Sequence, residues 1–195
     1  MNLREHKNQD DMKCWLSDQD VTRLLEATTS TDRRLALALG ARCGLRSHEV
    51  LNVAPGQLHE TDAGWMLSVP EGKGDKYRET PVPSQLATQI ETVGDIRDEP
   101  DSAPLVSITT TQSLRNWIKS ARETVATHTE DERWHHVSFH DLRRSWATSL
   151  ASKDVDPLIV CDWGGWNDLD TFLEHYRGAY SPEAQRRERE KVDWL

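Results

Sequence analysis

Apolar residues recur at intervals of three and four over most of the chain, the spacing that places them on one face of an α-helix. Ser17 followed by Asp20 is typical of a helix start, and Val21, Leu24 and Leu25 then form an apolar stripe. Similar signals predict helices over residues 31–43, 47–53, 84–93 and 110–127, and from residue 139 to the C-terminal end. Breaks in the last helical region are expected near residues 154–156, 164–165 and 181–182.

The period changes to two between residues 64 and 83, which predicts strands in place of a helix. GWMLSVP (64–70) and KYRETPVP (76–83) flank a glycine-rich turn, EGKGD, so they are expected to pair as an antiparallel hairpin. Residues 1–14 are expected to form a frayed tail. The predicted fold class is therefore α+β and mainly α, with a small antiparallel β-sheet inserted after the third helix.

Length and composition restrict the class of protein. The 195 residues fit one domain, and no run approaches the ~20 apolar residues that a membrane-spanning helix needs. The N-terminal residues are charged and no apolar run follows them, so we expect a cytoplasmic protein without a secretory signal or a membrane contact. The three cysteines are widely spaced, and no HExxH pattern accompanies the histidines, so no metal site is expected.

The charge balance is unusual for a protein that binds nucleic acid. The chain has 33 acidic and 24 basic residues, a formal net charge of −9, and only seven of the basic residues are lysines. An acid-rich surface that is poor in lysine suits a salt-rich cytoplasm, which we state as a hypothesis. The acids crowd the connectors at 95–101 and 129–132, so a basic pocket can still exist elsewhere.

Several side chains in the sequence have the chemistry that cleaves a phosphodiester. Such cleavage without a metal needs fixed cations on the non-bridging oxygens, an in-line nucleophile and a proton donor for the leaving oxygen. Arginine is suited to the first task, and a tyrosine with an ordinary pKa of ~10 needs the same positive field to act as a nucleophile. The chain has these groups in the order Arg46, Lys73, His140, Arg143, Trp166 and Tyr176.

The segments that contain these residues resemble a known family. GLRSHEVLNV, GKGDKYRETPVP, HDLRRSWATSL and GGWNDLDTFLEHYRG resemble successive boxes of the catalytic domain of tyrosine recombinases, the phage integrases. Each box alone is a weak signal, but four in order around a predicted hairpin are specific. The resemblance places a catalytic domain at 15–182, between an N-terminal tail (1–14) and a C-terminal helical tail (183–195). The N-terminal core-binding domain that usually clamps the DNA is apparently absent.

The resemblance implies a role for each of the boxed residues. Arg46 and Arg143 would clamp the scissile phosphate, and His140 would assist as a proton carrier and hydrogen-bond donor. Lys73 would protonate the leaving 5′ oxygen. Tyr176 would attack the phosphorus and form a 3′-phosphotyrosyl link, which stores the energy of the ester so that rejoining needs neither ATP nor a metal.

Three further assignments follow from the resemblance. Trp166 stands where the family usually has histidine, and an indole N–H can donate a hydrogen bond but cannot shuttle a proton. Tyr176 follows Trp166 by ten residues, one more than is common in the family, so Tyr180 is a second candidate nucleophile. Glu49 would orient its neighbours. The predicted DNA contacts are Arg42, Lys76, Arg78 and Arg144.

The function implied is that of a site-specific recombinase or integrase. It would act on double-stranded DNA without a cofactor, as a homo-oligomer (a tetramer on DNA), and a separate DNA-clamping chain is a further candidate partner. Three alternatives remain open. They are a catalytically reduced, integrase-derived DNA-binding regulator, a type IB topoisomerase-like relaxing enzyme, and a module that binds a full-length integrase.

Overall fold

The structure is a computed structural model that describes residues 1–5, 12–70, 77–176 and 182–194. Within these ranges the fold is mainly helical with small antiparallel sheets, which confirms the predicted fold class. The strands are β1 (Asn2–Glu5), β2 (Met12–Trp15), β3 (Leu58–Thr61), β4 (Gly64–Val69) and β5 (Arg78–Pro81). The helices are α1 (Asp18–Glu26), α2 (Thr31–Arg42), α3 (Ser47–Val50), α4 (Ser84–Arg97), α5 (Thr111–Thr129), α6 (Phe139–Ser152), α7 (Pro157–Gly164), α8 (Leu169–Tyr176) and α9 (Pro182–Glu190).

The N-terminal residues form a hairpin, which corrects the prediction of a frayed tail over 1–14. Strand β1 pairs antiparallel with β2, and the end of β2 is held against α6. The amide of Cys14 donates to Asp141 Oδ1 (3.0 Å), and the amide of Leu16 donates to Ser145 Oγ (2.8 Å). Because the partners of these amides lie more than 120 residues away, the local pattern of the N-terminal sequence does not reveal them.

The second sheet has the order β3–β4–β5 and confirms the hairpin predicted from the alternating pattern. Sequence reasoning missed β3, whose segment LHET contains a single apolar residue, Leu58, paired with Leu67 of β4. Thr80 Oγ1 donates to the carbonyl of Cys43 (2.8 Å) and so attaches β5 to the end of α2. The turn between β4 and β5, which contains Lys73 and Lys76, lies outside the described residues.

Helices α2 and α6 pack together at the centre of the core. Residues 35–41 of α2 are all buried, and the approach is closest at Gly40, where an added Cβ would lie 2.6 Å from the ring of Phe139. A second, smaller apolar cluster joins α6 to α7 and α8 through Trp146, Val160 and Phe172. The candidate site is built beside this second cluster.

Helix α7 begins and ends as the sequence predicts. The side chain of Asp156 accepts a hydrogen bond from the amide of Leu158, and Pro157 occupies the first turn. Gly165 ends the helix with a φ of +65°, a conformation that favours glycine. Over the described residues, no helix is long and apolar enough to cross a membrane.

Candidate active site

Three arginine side chains converge on the carbonyl oxygens at the C-terminal end of α7. These carbonyls have no partner within the helix and carry the negative end of its dipole, so cations stabilise them. The arginines come from the start of α3, from β5 and from α6, three segments that are distant in sequence. The bonds, in order along α7, join Arg78 Nε to Trp163 O (2.9 Å), Arg143 Nη2 to Gly164 O (2.6 Å) and Arg46 Nη2 to Gly165 O (2.8 Å).

Arg46 is positioned by the turn that joins α2 to α3. Gly44 has a φ of +65°, and a Cβ on it would lie 2.3 Å from the ring of Trp146. Arg46 then caps α3, with its amide donating to Glu49 Oε2 (2.6 Å) and its Nη1 donating to Glu49 Oε1 (2.9 Å). About a quarter of the Arg46 side chain (27%) is exposed, which places its guanidinium at the edge of the protein.

Arg143 lies against the face of Trp166. Its guanidinium carbon is 4.0 Å from the centre of the indole, a cation–π contact, and the residue is 3% exposed. The indole also stacks on Trp146 (6.3 Å between ring centres, 12° between planes), and Phe172 meets it edge-on. A Cβ on Gly164 would lie 1.8 Å from the indole, so glycine is required for this packing.

Glu49 links two of the arginines through its carboxylate. Arg78 Nη1 donates to Oε1 (2.7 Å) and Arg78 Nη2 donates to Oε2 (2.8 Å), beside the bonds from Arg46. Burial alone would raise the pKa of Glu49. The hydrogen bonds and charges of Arg78 and Arg46 outweigh that effect and lower the pKa of Glu49 to about 2. The carboxylate is therefore ionised at any physiological pH and holds both guanidinium groups in place.

A cleft of about 510 Å³ opens beside this cluster, between the β4–β5 hairpin and the connection from α7 to α8. Its lining includes Arg46, Trp166 and Asn167 on one side and Tyr77 and Glu79 on the other. Among the residues that the structure describes, no group of three or more His, Cys, Asp or Glu side chains is placed to hold a metal ion. The cleft therefore presents a guanidinium and an indole, both hydrogen-bond donors that suit a phosphate oxygen.

Of the other predicted catalytic residues, the structure describes His140 and Tyr176. His140 is in the first turn of α6, exposed, and one helical turn before Arg143. Tyr176 is the last residue of α8. Lys73 and Tyr180 lie outside the described residues. The structure thus brings Arg46, Arg143 and Trp166 together.

Two of the four predicted DNA contacts are buried in the structure. Arg78 is 6% exposed and Arg144 is 7% exposed, and each binds a buried carboxylate, Glu49 for the former and Asp141 for the latter. If either guanidinium moved away, its carboxylate would remain as an unpaired buried charge, which is unfavourable. These two side chains are therefore held in the interior. Arg42 lies closer to the surface, in an ion pair with Asp18 (2.8 Å). Lys76 lies outside the described residues.

Sequence reasoning missed a chain of polar side chains on the β3–β5 sheet. Tyr77 Oη donates to Glu79 Oε1 (2.8 Å) and lies 3.2 Å from Ser68 Oγ, and the same oxygen of Glu79 is 3.2 Å from His59 Nε2. These contacts link all three strands next to the cleft. The alternation of polar and apolar residues in β4 and β5 could have identified Ser68 and Glu79 as facing away from the core. The pairing with His59 depends on β3, which was not predicted.

Comparison with known proteins shows the family of the chain. The chain matches the family model described as the phage integrase family over residues 14–181. It is 30% identical over 178 residues to tyrosine recombinase XerA of Thermococcus kodakarensis, an alignment that covers 84% of this chain and 60% of the relative. The chain thus spans about 60% of the length of that relative.

Solved structures of recombinases share the fold. The crystal structure of XerA recombinase superimposes with a TM-score of 0.75 at 20% identity, covering 92% of this chain and 65% of the other. A structure of the Tn1549 transposon integrase in complex with circular intermediate DNA gives a TM-score of 0.70 at 15% identity, covering 94% and 67%. Together with the family match, these similarities confirm the resemblance seen in the four sequence boxes. The chain belongs to the phage integrase family.

Proposed function

We propose that this chain cleaves and rejoins double-stranded DNA at a specific site through a 3′-phosphotyrosyl intermediate. The observation that supports this most strongly is the meeting of Arg46 and Arg143 at adjacent carbonyls, those of Gly165 and Gly164. Two arginines from separate sequence boxes are thereby held side by side, next to a cleft. Such an arrangement matches the two non-bridging oxygens of one phosphodiester.

The two guanidinium groups would hold the scissile phosphate and stabilise the charge that grows on it during attack. Arginine keeps its charge at every relevant pH, and its planar fork matches the geometry of a phosphate. Because Glu49 and the carbonyls of α7 already fix these side chains, little reorganisation is needed when the phosphate arrives.

Trp166 and His140 would lie beside that phosphate and assist the reaction. The Trp166 indole N–H would donate a hydrogen bond to a non-bridging oxygen, while contacts with Arg143 and Trp146 hold the ring still. Since the indole cannot shuttle a proton, another group must accept the proton of the attacking hydroxyl. His140, exposed at the start of α6, is the candidate for that step.

The covalent step would be an in-line displacement. The hydroxyl oxygen of Tyr176 forms a bond to phosphorus, the bond from phosphorus to the 5′ oxygen breaks, and Lys73 supplies the proton that this oxygen takes up. Rejoining reverses the sequence when a free 5′ hydroxyl attacks the phosphotyrosine. Tyr180 remains the second candidate for the nucleophile.

The partners assigned by this proposal are DNA and further copies of the chain. The Tn1549 integrase, which shares the fold, was solved in complex with DNA. A tetramer on two DNA sites, a separate DNA-clamping chain and a cytoplasmic location belong to the same proposal. Within it, residues 15–182 form the catalytic domain and residues 183–195 form the C-terminal helical tail.

Trapping of the covalent intermediate tests the proposal. Purified protein is mixed with nicked duplexes from the DNA that flanks the gene, and the product is scored as an SDS-resistant, protease-sensitive adduct. The proposal predicts an adduct on particular sequences and no relaxation of unrelated supercoiled plasmid. Specific binding without an adduct would instead favour the DNA-binding regulator. Relaxation of any supercoiled plasmid would favour a topoisomerase-like enzyme.

A further inference from the structure

Arg78 binds more groups inside the protein than an arginine that contacts DNA at the surface would. All three of its guanidinium nitrogens are used, Nη1 and Nη2 on the two oxygens of Glu49 and Nε on the carbonyl of Trp163. The side chain is 5% exposed. It therefore spans the interior between the start of α3 and the end of α7, and it adds only a small exposed surface to the lining of the cleft.

The two groups that Arg78 joins are the supports of the two phosphate-binding arginines. Glu49 accepts hydrogen bonds from the amide and the Nη1 of Arg46. Trp163 immediately precedes Gly164, whose carbonyl accepts the bond from Arg143. Arg78 thus adds a second link between the supports of Arg46 and Arg143, beside the direct bond from Arg46 to the carbonyl of Gly165.

The end of α7 is shaped around the Arg78 side chain. A Cβ on Gly165 would lie 2.8 Å from Arg78 Cδ, so the glycine leaves room for the arginine as well as adopting a positive φ. The turn after α7 leads directly to Trp166, which stacks on Arg143. A displacement of Arg78 would therefore be transmitted to both the indole and the guanidinium groups.

We propose that Arg78 is a positioning residue, which fixes the separation of Arg46 from Arg143 and Trp166 by binding Glu49 and the carbonyl of Trp163 at once. This inference rests on the proposed function. It replaces the predicted DNA contact of Arg78 with a role inside the protein. The role needs an arginine, because the ammonium of lysine is a point charge and cannot present a fork to a carboxylate and a third donor to a carbonyl.

The test compares Arg78→Lys with wild type in single-turnover formation of the covalent adduct, at saturating DNA and over a range of pH. DNA affinity and thermal unfolding are measured in parallel. The matched control is Arg97→Lys, since Arg97 also binds a carboxylate, that of Asp32, and a backbone carbonyl, that of Leu105, away from the cleft. We expect the rate of adduct formation to be ~10- to 100-fold lower in Arg78→Lys, because Arg46 and Arg143 would be misplaced by a fraction of an ångström. The DNA Kd should be unchanged within about twofold.

The pH profile provides a readout that a purely structural role would leave unchanged. The charged groups around Glu49 are Arg78 from β5 and Arg46 from α3. In Arg78→Lys, fewer hydrogen bonds counteract the effect of burial on Glu49, so the pKa of Glu49 rises. The acid limb of the cleavage profile, where the rate falls as the pH is lowered, then moves to higher pH. In Arg78→Lys/Glu49→Gln this limb is expected to return to lower pH, although the rate stays low. Glu49→Gln alone, which keeps the shape of the side chain, is the second variant if Arg78→Lys fails to fold, and it too is expected to cleave slowly.

Each contrary outcome has a distinct meaning. A cleavage rate in Arg78→Lys equal to those of wild type and Arg97→Lys would overturn the inference. A weaker Kd with an unchanged rate at saturating DNA would also overturn it, and would return Arg78 to a direct DNA contact. No adduct with wild-type protein would overturn the proposed function itself, and this inference with it.

Discussion

The guanidinium of Arg143 and the indole of Trp166 lie face to face, with 4.0 Å between the guanidinium carbon and the ring centre. The same arginine donates through Nη2 to Gly164, two residues before the tryptophan. One side chain of α6 thus fixes both the end of α7 and the ring that follows it. The contacts with Arg143, Trp146 and Phe172 hold the tryptophan ring in place at this position.

Variants of Trp166 distinguish the contribution of its indole hydrogen bond from that of its ring packing. Trp166→Phe keeps an aromatic ring in contact with Arg143 and Trp146 but removes the N–H, so we expect a single-turnover cleavage rate ~100-fold lower with little change in DNA affinity. Trp166→His restores a donor and should cleave faster than Trp166→Phe. Trp117→Phe is the control, because Trp117 also lies under an arginine, Arg33, at 5.8 Å. Equal rates for Trp166→Phe and wild type would exclude the indole N–H from catalysis.

Gly164→Ala tests the close packing behind the site. The added methyl group would lie 1.8 Å from the Trp166 ring, so the indole must move. Overpacking of this kind costs about 1–3 kcal/mol, measured as the free energy of unfolding in urea. Gly94→Ala is the comparison, since its methyl group would only meet the ring of Pro55 at 3.1 Å. If the two variants are equally stable, the Trp166 ring is not confined as described.

The stability of the protein should depend on the ionisation of Glu49. Its pKa is lowered from 4.5 to about 2 in the folded protein, so the stabilisation is present above pH 4.5 and is lost as the pH falls towards 2. A shift of this size corresponds to roughly 3 kcal/mol in the free energy of unfolding. Glu49→Gln should flatten the stability profile between about pH 4.5 and pH 2. The exposed Glu123, paired loosely with Lys119, supplies the control Glu123→Gln, which should leave the profile unchanged.

Salt should stabilise the fold if the acidic surface is adapted to it. At a net charge of −9 the carboxylates repel each other, and ions screen that repulsion. We expect the Tm to rise as KCl is increased to molar concentration, while an equal osmolality of a neutral solute should have a smaller effect. A Tm that falls as the KCl concentration rises would contradict the hypothesis of salt adaptation. DNA affinity measured in the same series should depend weakly on salt if few phosphates are neutralised.

The sequence predicted the elements that follow a local pattern. The stripes of α1, α2 and α6, the β4–β5 alternation and the glycine at the end of α7 all depend on neighbours in the chain, and all are present. The four boxes also include Arg46, Arg143 and Trp166, which the structure brings together. The convergence of Arg46 and Arg143 on carbonyls at the end of α7 could not be read from spacing, since it joins residues up to 119 positions apart.

The remaining features depend on partners that the local pattern of apolar and polar residues does not show. Strand β2 depends on Asp141 of α6, and β3 depends on pairing with β4. Arg78 was interpreted as a DNA contact because its charge is evident in the sequence. Its carboxylate partner lies 29 residues earlier in the chain.

Covalent trapping with the tyrosine variants identifies the nucleophile. Wild type, Tyr176→Phe and Tyr180→Phe are each mixed with the nicked duplex on which wild type reacts, and the modified peptide is mapped by mass spectrometry. We expect an adduct in wild type and Tyr180→Phe, with DNA attached to Tyr176, and none in Tyr176→Phe. An adduct that persists in Tyr176→Phe, or one that is lost only in Tyr180→Phe, would contradict the assigned nucleophile.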